Sequence, residues 1–204
     1  MVFLGCQIDL SKWNFMPRVE TEFWAKKAIK YAEKRSRHIK VLDIFAGTGC
    51  IGIAILKNIK DGRVDFIDIN KQAVEQIKIN LTLNKISKNR YGVFQSNMFD
   101  KIKGKYDFIF ANPPYVAENK IQEVQPSVLK YEPKLALFGG ESGLFYIKKF
   151  LKEAKNFLVE NGAIFLEFSP EQKEDIEKIL AREGYRKYKF FKDQFKKYRF
   201  LKCC

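Results

Sequence analysis

The sequence predicts an α/β fold in which a mostly parallel sheet carries helices on both of its faces. Two observations support this class: short apolar runs of strand length alternate with amphipathic segments of helical period, and no internal repeat or Ser/Gly/Pro linker interrupts the series. Seven strands are predicted, at residues 40–45, 63–68, 91–95, 106–111, 163–168, 187–192 and 197–201. Ligands of such sheets bind at the carboxyl ends of the strands, so the residues that follow each strand are candidates for a functional site.

Apolar residues between these strands recur at the three- and four-residue spacing of helices. The predicted helical segments are residues 20–35, residues 50–59, the segment with Ala73, Ile77 and Leu81 on one face, residues 144–158, and the segment that opens at Pro170 and buries Ile176, Ile179 and Leu180. A long loop is expected at residues 115–141. The helix at 144–158 is expected to end before Asn161-Gly162, a pair typical of a helix end.

The composition excludes several classes of protein. A chain of 204 residues with 46% hydrophobic content can bury one sizeable core, so a single compact domain is expected. No apolar run is long enough to span a membrane, and the first residues lack the pattern of a secretory signal, so a cytoplasmic protein with no membrane partner is expected. Four cysteines lack zinc-ligand spacing and His38 is the only histidine, so no metal site is expected.

The formal net charge is +14, and the densest basic stretch is the tail at residues 186–202. This charge permits contact with RNA, ribosomes or an acidic protein partner, and it does not choose among them. A lysine-rich solvated surface explains the same composition equally well. We expect a monomer with a possible RNA-contacting surface.

A glycine-rich turn follows the first predicted strand. Residues 47–52 read G-T-G-C-I-G between a strand and a helix, and Asp68 ends the following strand. Glycines let the backbone approach a ligand, and a carboxylate at that position accepts hydrogen bonds from ribose hydroxyls, so several cofactors suit the pattern. Asp43 favours a ligand with a cationic amino end, as in a methionine moiety, because a pyrophosphate would be repelled there. The structural alternatives are a loop-stabilising acceptor for Asp43 and a helix N-cap for Asp68.

Residues 112–115, Asn-Pro-Pro-Tyr, follow the fourth predicted strand. Two prolines fix the backbone direction and remove amide donors, which leaves carbonyl acceptors. A planar amide or amine could donate one hydrogen to the Asn112 side-chain oxygen and the other to the Pro113 carbonyl, with the Tyr115 ring packed on it. We expect Asn112, Pro113 and Tyr115 to act in catalysis by positioning the nitrogen for methyl transfer, without a strong base. The alternative is a plain strand-to-loop exit.

These motifs together resemble the bacterial peptide chain release factor glutamine N5-methyltransferases. Residues 16–22 are similar to the family's Pro-Arg-x-Glu-Thr-Glu segment, and Phe3 and Gly5 sit where its preceding β-hairpin would begin. The other similar elements are Tyr131-Glu132-Pro133, Ala136-Leu137, residues 139–144, Leu166-Glu167 and Gln172. The resemblance covers nearly the whole chain.

The resemblance implies a class I Rossmann-like methyltransferase whose seven-stranded sheet has an antiparallel last strand. It divides the chain into a hairpin segment at residues 1–17 and a methyltransferase domain at residues 18–204. The cofactor would be S-adenosyl-L-methionine, and the substrate the glutamine in the Gly-Gly-Gln loop of a release factor. The implied cofactor-binding residues are Asp43, Phe45, Ala46, Gly47, Thr48, Gly49, Asp68, Asn97, Met98 and Asn112. The implied glutamine pocket consists of Asn112, Pro113, Pro114 and Tyr115.

The chain departs from the family pattern in three respects. Phe45 stands where the loop usually has glycine, and Asn97 stands where an aspartate commonly faces the adenine. Both changes would lower cofactor affinity or alter its geometry. The family also usually carries an N-terminal helical domain, whereas this chain begins where the catalytic domain would, as expected of a short family member or of a fragment.

Three other functions compete with this hypothesis. A nucleic-acid methyltransferase acting on an exocyclic base amine could use the same clamp and a basic surface. A nicotinamide-dependent oxidoreductase is suggested by the literal glycine fingerprint, although it leaves residues 112–115 unexplained. An RNA-binding module on an inactive methyltransferase scaffold is the third.

Overall fold

The computed structural model describes residues 1–35 and 38–204, and it begins with a small β-hairpin. Strands β1 (Val2–Phe3) and β2 (Cys6–Gln7) pair antiparallel around Leu4 and Gly5, which both have positive φ, 46° and 78°. Two consecutive residues of positive φ give the tight turn that matches the twist of a hairpin. The Leu4 amide also donates to Glu22 Oε1 at 2.8 Å, which fixes the hairpin to the first helix.

A seven-stranded sheet forms the centre of the protein. Its strands are β3 (Lys40–Ile44), β4 (Arg63–Asp68), β5 (Tyr91–Gln95), β6 (Tyr106–Ala111), β7 (Leu158–Glu167), β8 (Tyr188–Lys192) and β9 (Tyr198–Cys203). The spatial order is β5-β4-β3-β6-β7-β9-β8. All neighbours are parallel except at β9, which pairs antiparallel with both β7 and β8. The predicted fold class and the antiparallel last strand are confirmed.

Helices cover both faces of the sheet because its central strands are apolar on both sides. The helices are α1 (Val19–Arg35), α2 (Cys50–Asn58), α3 (Lys71–Leu83), α4 (Pro126–Tyr131), α5 (Lys134–Leu137), α6 (Phe145–Ala154) and α7 (Lys173–Arg182). Val41 and Phe108 face the core formed with α1, α2 and α3. The next residue along each strand, Leu42 or Ile109, faces the core formed with α6 and α7. This alternation is the two-residue period of a strand.

The predicted length of the helix at residues 144–158 and its predicted end before Asn161-Gly162 are both wrong. The expected helix at 144–158 ends at Ala154, a single 3-10 turn covers Lys155–Phe157, and Leu158 already pairs with Tyr106 in the sheet. Leu158 continues the helical spacing of the preceding residues, so periodicity alone could not detect this change. Asn161, with φ of 63°, lies inside the strand at a register irregularity instead of closing a helix.

The expected loop at 115–141 contains ordered short helices. A 3-10 segment at Glu118–Glu123, α4 and α5 together form a layer over the carboxyl ends of the central strands, where Val116 bridges to Phe138. None of these helices is longer than six residues, so each carries too few residues for a periodic sequence signal. No helix in the described part of the chain is long and apolar enough to cross a membrane.

Candidate active site

The glycine turn after β3 has the backbone conformation that its sequence requires. Gly47 and Gly49 have φ of 54° and 76°, a region that favours glycine. Gly52 lies within α2, where a Cβ atom would overlap the Phe66 ring and approach Asp43 Oδ2. The three glycines therefore make the turn and let α2 pack closely on the sheet.

Asp43 lies beneath this turn and stabilises it. Its side chain is 1% exposed, and Oδ2 accepts a hydrogen bond of 2.9 Å from the Gly52 amide. Burial raises the pKa of this carboxyl from 3.8 to about 8, with the nearby Asp68 charge adding to the effect of burial. The geometry corresponds to the loop-stabilising acceptor, and a direct contact between Asp43 and a ligand stays a prediction.

Phe45 occupies the left-handed region with φ of 60°, an uncommon conformation for a bulky residue. Its ring makes edge-on contacts with Tyr146 and Phe150, at centroid distances of 5.9 and 6.2 Å. Aromatic packing of this kind offsets part of the backbone strain. Phe45 therefore fits at a position that usually suits glycine, and its ring forms part of the cavity described next.

Asp68, at the end of β4, links the turn to the next helix. Its Oδ2 accepts a hydrogen bond from the Gly47 amide at 2.8 Å, and its Oδ1 accepts one from the Asn70 amide at 2.9 Å. Asn70, rather than Asp68, caps α3 by accepting from the amides of Gln72 and Ala73. Burial raises the pKa of the Asp68 carboxyl. Each carboxylate oxygen still has a lone pair for a ligand hydroxyl.

A cavity of about 630 Å³, counting its part open to solvent, lies at the carboxyl ends of β3, β4 and β6. Of the predicted cofactor-binding residues, Phe45, Gly47, Asp68, Asn97, Met98 and Asn112 line it. Pro114, expected in the glutamine pocket, also lines this cavity and does not line the second one. Asn97 is an exposed wall residue, and Met98 is buried with φ of 48°.

The other predicted cofactor residues support the turn and do not line this cavity. Ala46 is buried and its amide donates to the Ile67 carbonyl, while Gly49 precedes α2. Thr48 is buried, and its carbonyl accepts from Asn80 Nδ2 at 2.9 Å. Their contact with a cofactor, like that of Asp43, stays a prediction.

A second cavity, of about 550 Å³, adjoins the first. Residues Asn112, Pro113 and Tyr115 line it together with Arg18 and the apolar residues Phe15, Val116, Val124, Val128, Ala136 and Leu137. Asn112 belongs to the walls of both cavities. Within residues 1–35 and 38–204, no hydrogen bond uses the Asn112 carboxamide or the Pro113 carbonyl oxygen. Two acceptors are therefore available where the cavities meet.

The backbone of residues 113–117 is held against the segment at residues 139–144. A Cβ atom on Gly139 would overlap the Pro114 carbonyl, and one on Gly143 would overlap the Tyr115 carbonyl. The Tyr115 carbonyl also accepts a hydrogen bond of 3.0 Å from Gln172 Nε2. Two sequence elements that looked like family motifs thus position the Asn-Pro-Pro-Tyr segment.

The Tyr115 side chain is fixed by a buried carboxylate. Glu167, at the end of β7, is 0% exposed and accepts hydrogen bonds from the Tyr115 hydroxyl at 3.1 Å, from Thr21 Oγ1 at 2.8 Å and from the Trp24 indole. Burial raises the pKa of the Glu167 carboxyl, and burial followed by the Glu167 charge raises the pKa of Tyr115. The network connects α1 to residues 112–115 through one carboxylate.

Arg18 and Glu132 close the second cavity on its outer side. The guanidinium donates two hydrogen bonds to the carboxylate, at 2.6 and 2.8 Å, and a third, from Nη1, to the Met16 carbonyl at 3.0 Å. Glu132 is mostly buried, with 7% of its side chain exposed, against 32% for Arg18. This bidentate pair joins the segment before α1 to the layer of short helices.

Sequence analysis missed several residues of the site. Trp13, Phe15, Leu135, Ala136 and Tyr146 line the first cavity, and none was assigned a role there. Two aromatic residues in a short segment between a hairpin and a helix were the available signal. An argument from periodicity does not detect these two aromatic residues, because their segment has no regular secondary structure.

Fold and site together define a class I methyltransferase. The family model described as "Methyltransferase small domain" matches residues 28–134. The crystal structure of the ribosomal protein L11 methylase from Lactobacillus delbrueckii subsp. bulgaricus has a TM-score of 0.68 at 18% identity, covering 95% of this chain and 82% of that one. At this identity, the structural likeness concerns the fold.

Comparison of sequences identifies the family. The release factor glutamine methyltransferase of Agrobacterium fabrum is 34% identical over 186 residues, which cover 90% of this chain and 64% of that protein. The protein of the same name from Thermodesulfovibrio yellowstonii is 33% identical over 193 residues, 94% of this chain and 68% of that protein. The chain belongs to the release factor glutamine methyltransferase family, and it spans about two thirds of the length of these relatives.

Proposed function

We propose that the protein transfers a methyl group from S-adenosyl-L-methionine to the side-chain amide nitrogen, N5, of the glutamine in the Gly-Gly-Gln loop of a peptide chain release factor. The observation that carries the proposal is the position of Asn112 in the walls of both cavities. One side chain can therefore contact a cofactor on one side and an amide on the other. Family membership supports the choice of glutamine.

The residues of the first cavity fit the proposed cofactor. The wall is mostly apolar, as an adenine requires, and Asp68 retains acceptor capacity for ribose hydroxyls. S-adenosyl-L-methionine would supply a methyl group bonded to a cationic sulfur. On transfer the C–S bond would break as the N–C bond forms, the sulfur would become a neutral thioether, and the amide nitrogen would lose one proton to water.

The second cavity fits a primary amide. The Asn112 side-chain oxygen and the Pro113 carbonyl can each accept one amide hydrogen, which fixes the plane of the group and draws nitrogen away from conjugation. The apolar wall excludes water and strengthens these hydrogen bonds. Catalysis by Asn112, Pro113 and Tyr115 would then consist of positioning and electrostatics.

A groove with four basic residues and one acidic residue, Glu141, lies beside α6. Lys148, Lys149 and Lys152 of α6 and Arg182 of α7 line this groove beside Phe145, whose side chain is 61% exposed. This groove contains Gly139 and Gly140, so it adjoins the backbone that packs on Pro114 and Tyr115. A positive groove next to the amide site suits an acidic face of the release factor. A release factor substrate would place the enzyme in the cytoplasm.

The decisive experiment compares two variants for binding and methylation. Asn112→Ala removes the proposed amide acceptor and is expected to lower methyl transfer to release factor by roughly 10²- to 10³-fold with little loss of cofactor affinity. Asp68→Ala is expected to weaken cofactor binding first. The matched control is Asn58→Ala, because Asn58 bonds within its own helix, at the Ala54 carbonyl. Labelled cofactor, calorimetry and peptide mass spectrometry provide the readouts.

The same assay tests the alternative substrate, an exocyclic amine of a nucleic acid. The net charge of +14 is the observation that favours this alternative. Label found in RNA and absent from release factor would overturn the glutamine proposal. Wild-type activity of Asn112→Ala on release factor would overturn the amide clamp.

A further inference from the structure

The segment between the hairpin and α1 is fixed to α3 by buried amide side chains. Gln76 and Asn80 of α3 and Asn84 just after it are spaced four residues apart, so they form one row on the helix. This row bonds to the backbone of residues 7–13 through the amides of Gln7, Asp9, Lys12 and Trp13, at distances of 2.7–3.1 Å. The segment at residues 7–13, which we call the strap, is therefore a rigid wall.

The strap places Trp13 beside the glycine turn. Trp13 is 4% exposed and lines the first cavity together with Gly47 and Asp68. The nitrogen edge of its indole faces Gly47, since a Cβ atom built on that glycine would lie 3.5 Å from Nε1 and 3.8 Å from Cδ1. The Trp13 N–H is buried and has no hydrogen-bond partner among the described residues. The protein's other tryptophan, Trp24, has its N–H satisfied by Glu167.

A buried indole N–H without a partner is costly, because folding removes its hydrogen bond to water. The cost is recovered when a ligand supplies an acceptor, and an N–H group can recognise only an acceptor. Two acceptors of the proposed cofactor are the carboxylate of its amino-acid end and the hydroxyls of its ribose. Both groups present oxygen atoms that can accept a hydrogen bond.

We propose that Trp13 is a further ligand-binding residue, whose indole N–H donates a hydrogen bond to an oxygen of the molecule bound beside Gly47. The inference rests on the proposed function, because it takes that molecule to be S-adenosylmethionine or its product. It assigns to the strap a direct part in binding, in addition to its part as a wall. The identity of the oxygen is open to direct measurement.

The test uses Trp13→Phe, which keeps an aromatic ring and removes the donor. Calorimetry measures the affinity of the purified full chain for S-adenosylhomocysteine and for methylthioadenosine, which has the ribose but lacks the carboxylate. Loss of one hydrogen bond is expected to weaken binding about fivefold for a hydroxyl acceptor and roughly 10- to 100-fold for a carboxylate. Ser11→Ala is the control, since Ser11 is in the strap and bonds to Asp9 rather than lining the cavity. Thermal melts establish that both variants fold.

Each outcome has a defined meaning. Weaker binding of S-adenosylhomocysteine alone identifies the carboxylate as acceptor, and equal weakening of both ligands identifies an acceptor on the adenosine group that they share. Unchanged affinity for both ligands would overturn the role of Trp13 while leaving the methyltransferase proposal intact. A wild-type chain that binds neither ligand would instead contradict the proposed function itself.

Fluorescence gives a second readout that does not depend on activity. The chain has two tryptophans, and of these Trp13 lines the cavity. Addition of S-adenosylhomocysteine should change the emission of the wild type and leave that of Trp13→Phe, which reports on Trp24, nearly constant. An equal change in both proteins would contradict contact at Trp13.

Discussion

The Tyr115 hydroxyl donates a hydrogen bond of 3.1 Å to Glu167, a carboxylate that lies 52 residues further along the chain and is 0% exposed. The same carboxylate accepts from Thr21 and Trp24 of α1. One buried group thus determines how the last residue of the Asn-Pro-Pro-Tyr segment is held relative to the first helix. Its hydrogen bonds are strong because the acceptor is excluded from water.

Tyr115→Phe removes this hydrogen bond and keeps the ring that lines the second cavity. We expect kcat for release factor methylation to fall on the order of 10- to 100-fold, because the ring loses its fixed orientation, and cofactor affinity to stay near that of the wild type. The control is Tyr185→Phe, which removes another buried hydroxyl, bonded to the Leu151 carbonyl at 2.9 Å, away from the site. Steady-state kinetics on both variants make the comparison. Equal losses of activity would indicate a general effect on stability.

Arg18→Lys should weaken the binding of the release factor more than it weakens the binding of the cofactor. A lysine cannot make the two parallel hydrogen bonds that Arg18 makes to Glu132, so the outer wall of the second cavity loses its fixed position. We expect KM for release factor to rise roughly threefold to tenfold, with the calorimetric affinity for S-adenosylhomocysteine unchanged. Arg63→Lys is the control because Arg63 begins β4, at the opposite end of that strand from Asp68, and its side chain is 54% exposed. A similar rise in that control would refute the specific role of Arg18.

Gly143→Ala is expected to lower the free energy of unfolding by about 3 kcal/mol or more, because it combines backbone strain with overlap. Gly143 has φ of 71°, and a Cβ atom there would overlap the Tyr115 carbonyl. Gly5→Ala is a matched control, since Gly5 has φ of 78° and nothing lies within 4 Å of its added Cβ atom. The free energy of unfolding of Gly5→Ala should fall by only about 1 kcal/mol. Urea denaturation measures both values, and equal losses would show that the overlap is relieved without cost.

Asp43→Asn should reduce the pH dependence of stability between about pH 4 and pH 8. The pKa of Asp43 is raised by burial from 3.8 to about 8, so the folded state binds more protons than the unfolded state in this window. The stabilising contribution of the protonated carboxyl is fully present below pH 4 and is lost as pH rises toward 8. Loss of one titrating proton corresponds to a slope of about 1.4 kcal/mol per pH unit.

Calorimetric unfolding at several pH values checks this prediction. The introduced carboxamide can still accept from the Gly52 amide through its oxygen, so the variant preserves the turn and removes only the titration. The pKa values of Glu167 and Asp68 are also raised, so these groups change stability with pH in the same direction as Asp43, and some pH dependence should remain in the variant. Asp175→Asn, at an exposed position of α7, provides the control. A slope that is identical in wild type and Asp43→Asn would contradict the burial argument.

Much of the fold followed from the sequence because its central strands are apolar on both faces and its helices have clear periodicity. The parallel strands β3 to β6 were predicted within one residue of their observed bounds. The start of β7 was missed because Leu158 satisfies the helical spacing as well as the pairing with Tyr106. The short helices between Glu118 and Leu137 were missed because none is longer than six residues.

The sequence by itself determined the glycine turn, the acidic end of β4 and the Asn-Pro-Pro-Tyr segment, because these features depend on local backbone geometry and on the residue types at strand ends. Tertiary structure decided which side chains line the cavities. It buried Asp43 under the turn, and it brought Trp13 and Asn112 to one cavity. Contacts between residues distant in sequence depend on how strap, sheet and helices pack. Periodicity indicates which residues share one face of a helix, but not what that face contacts.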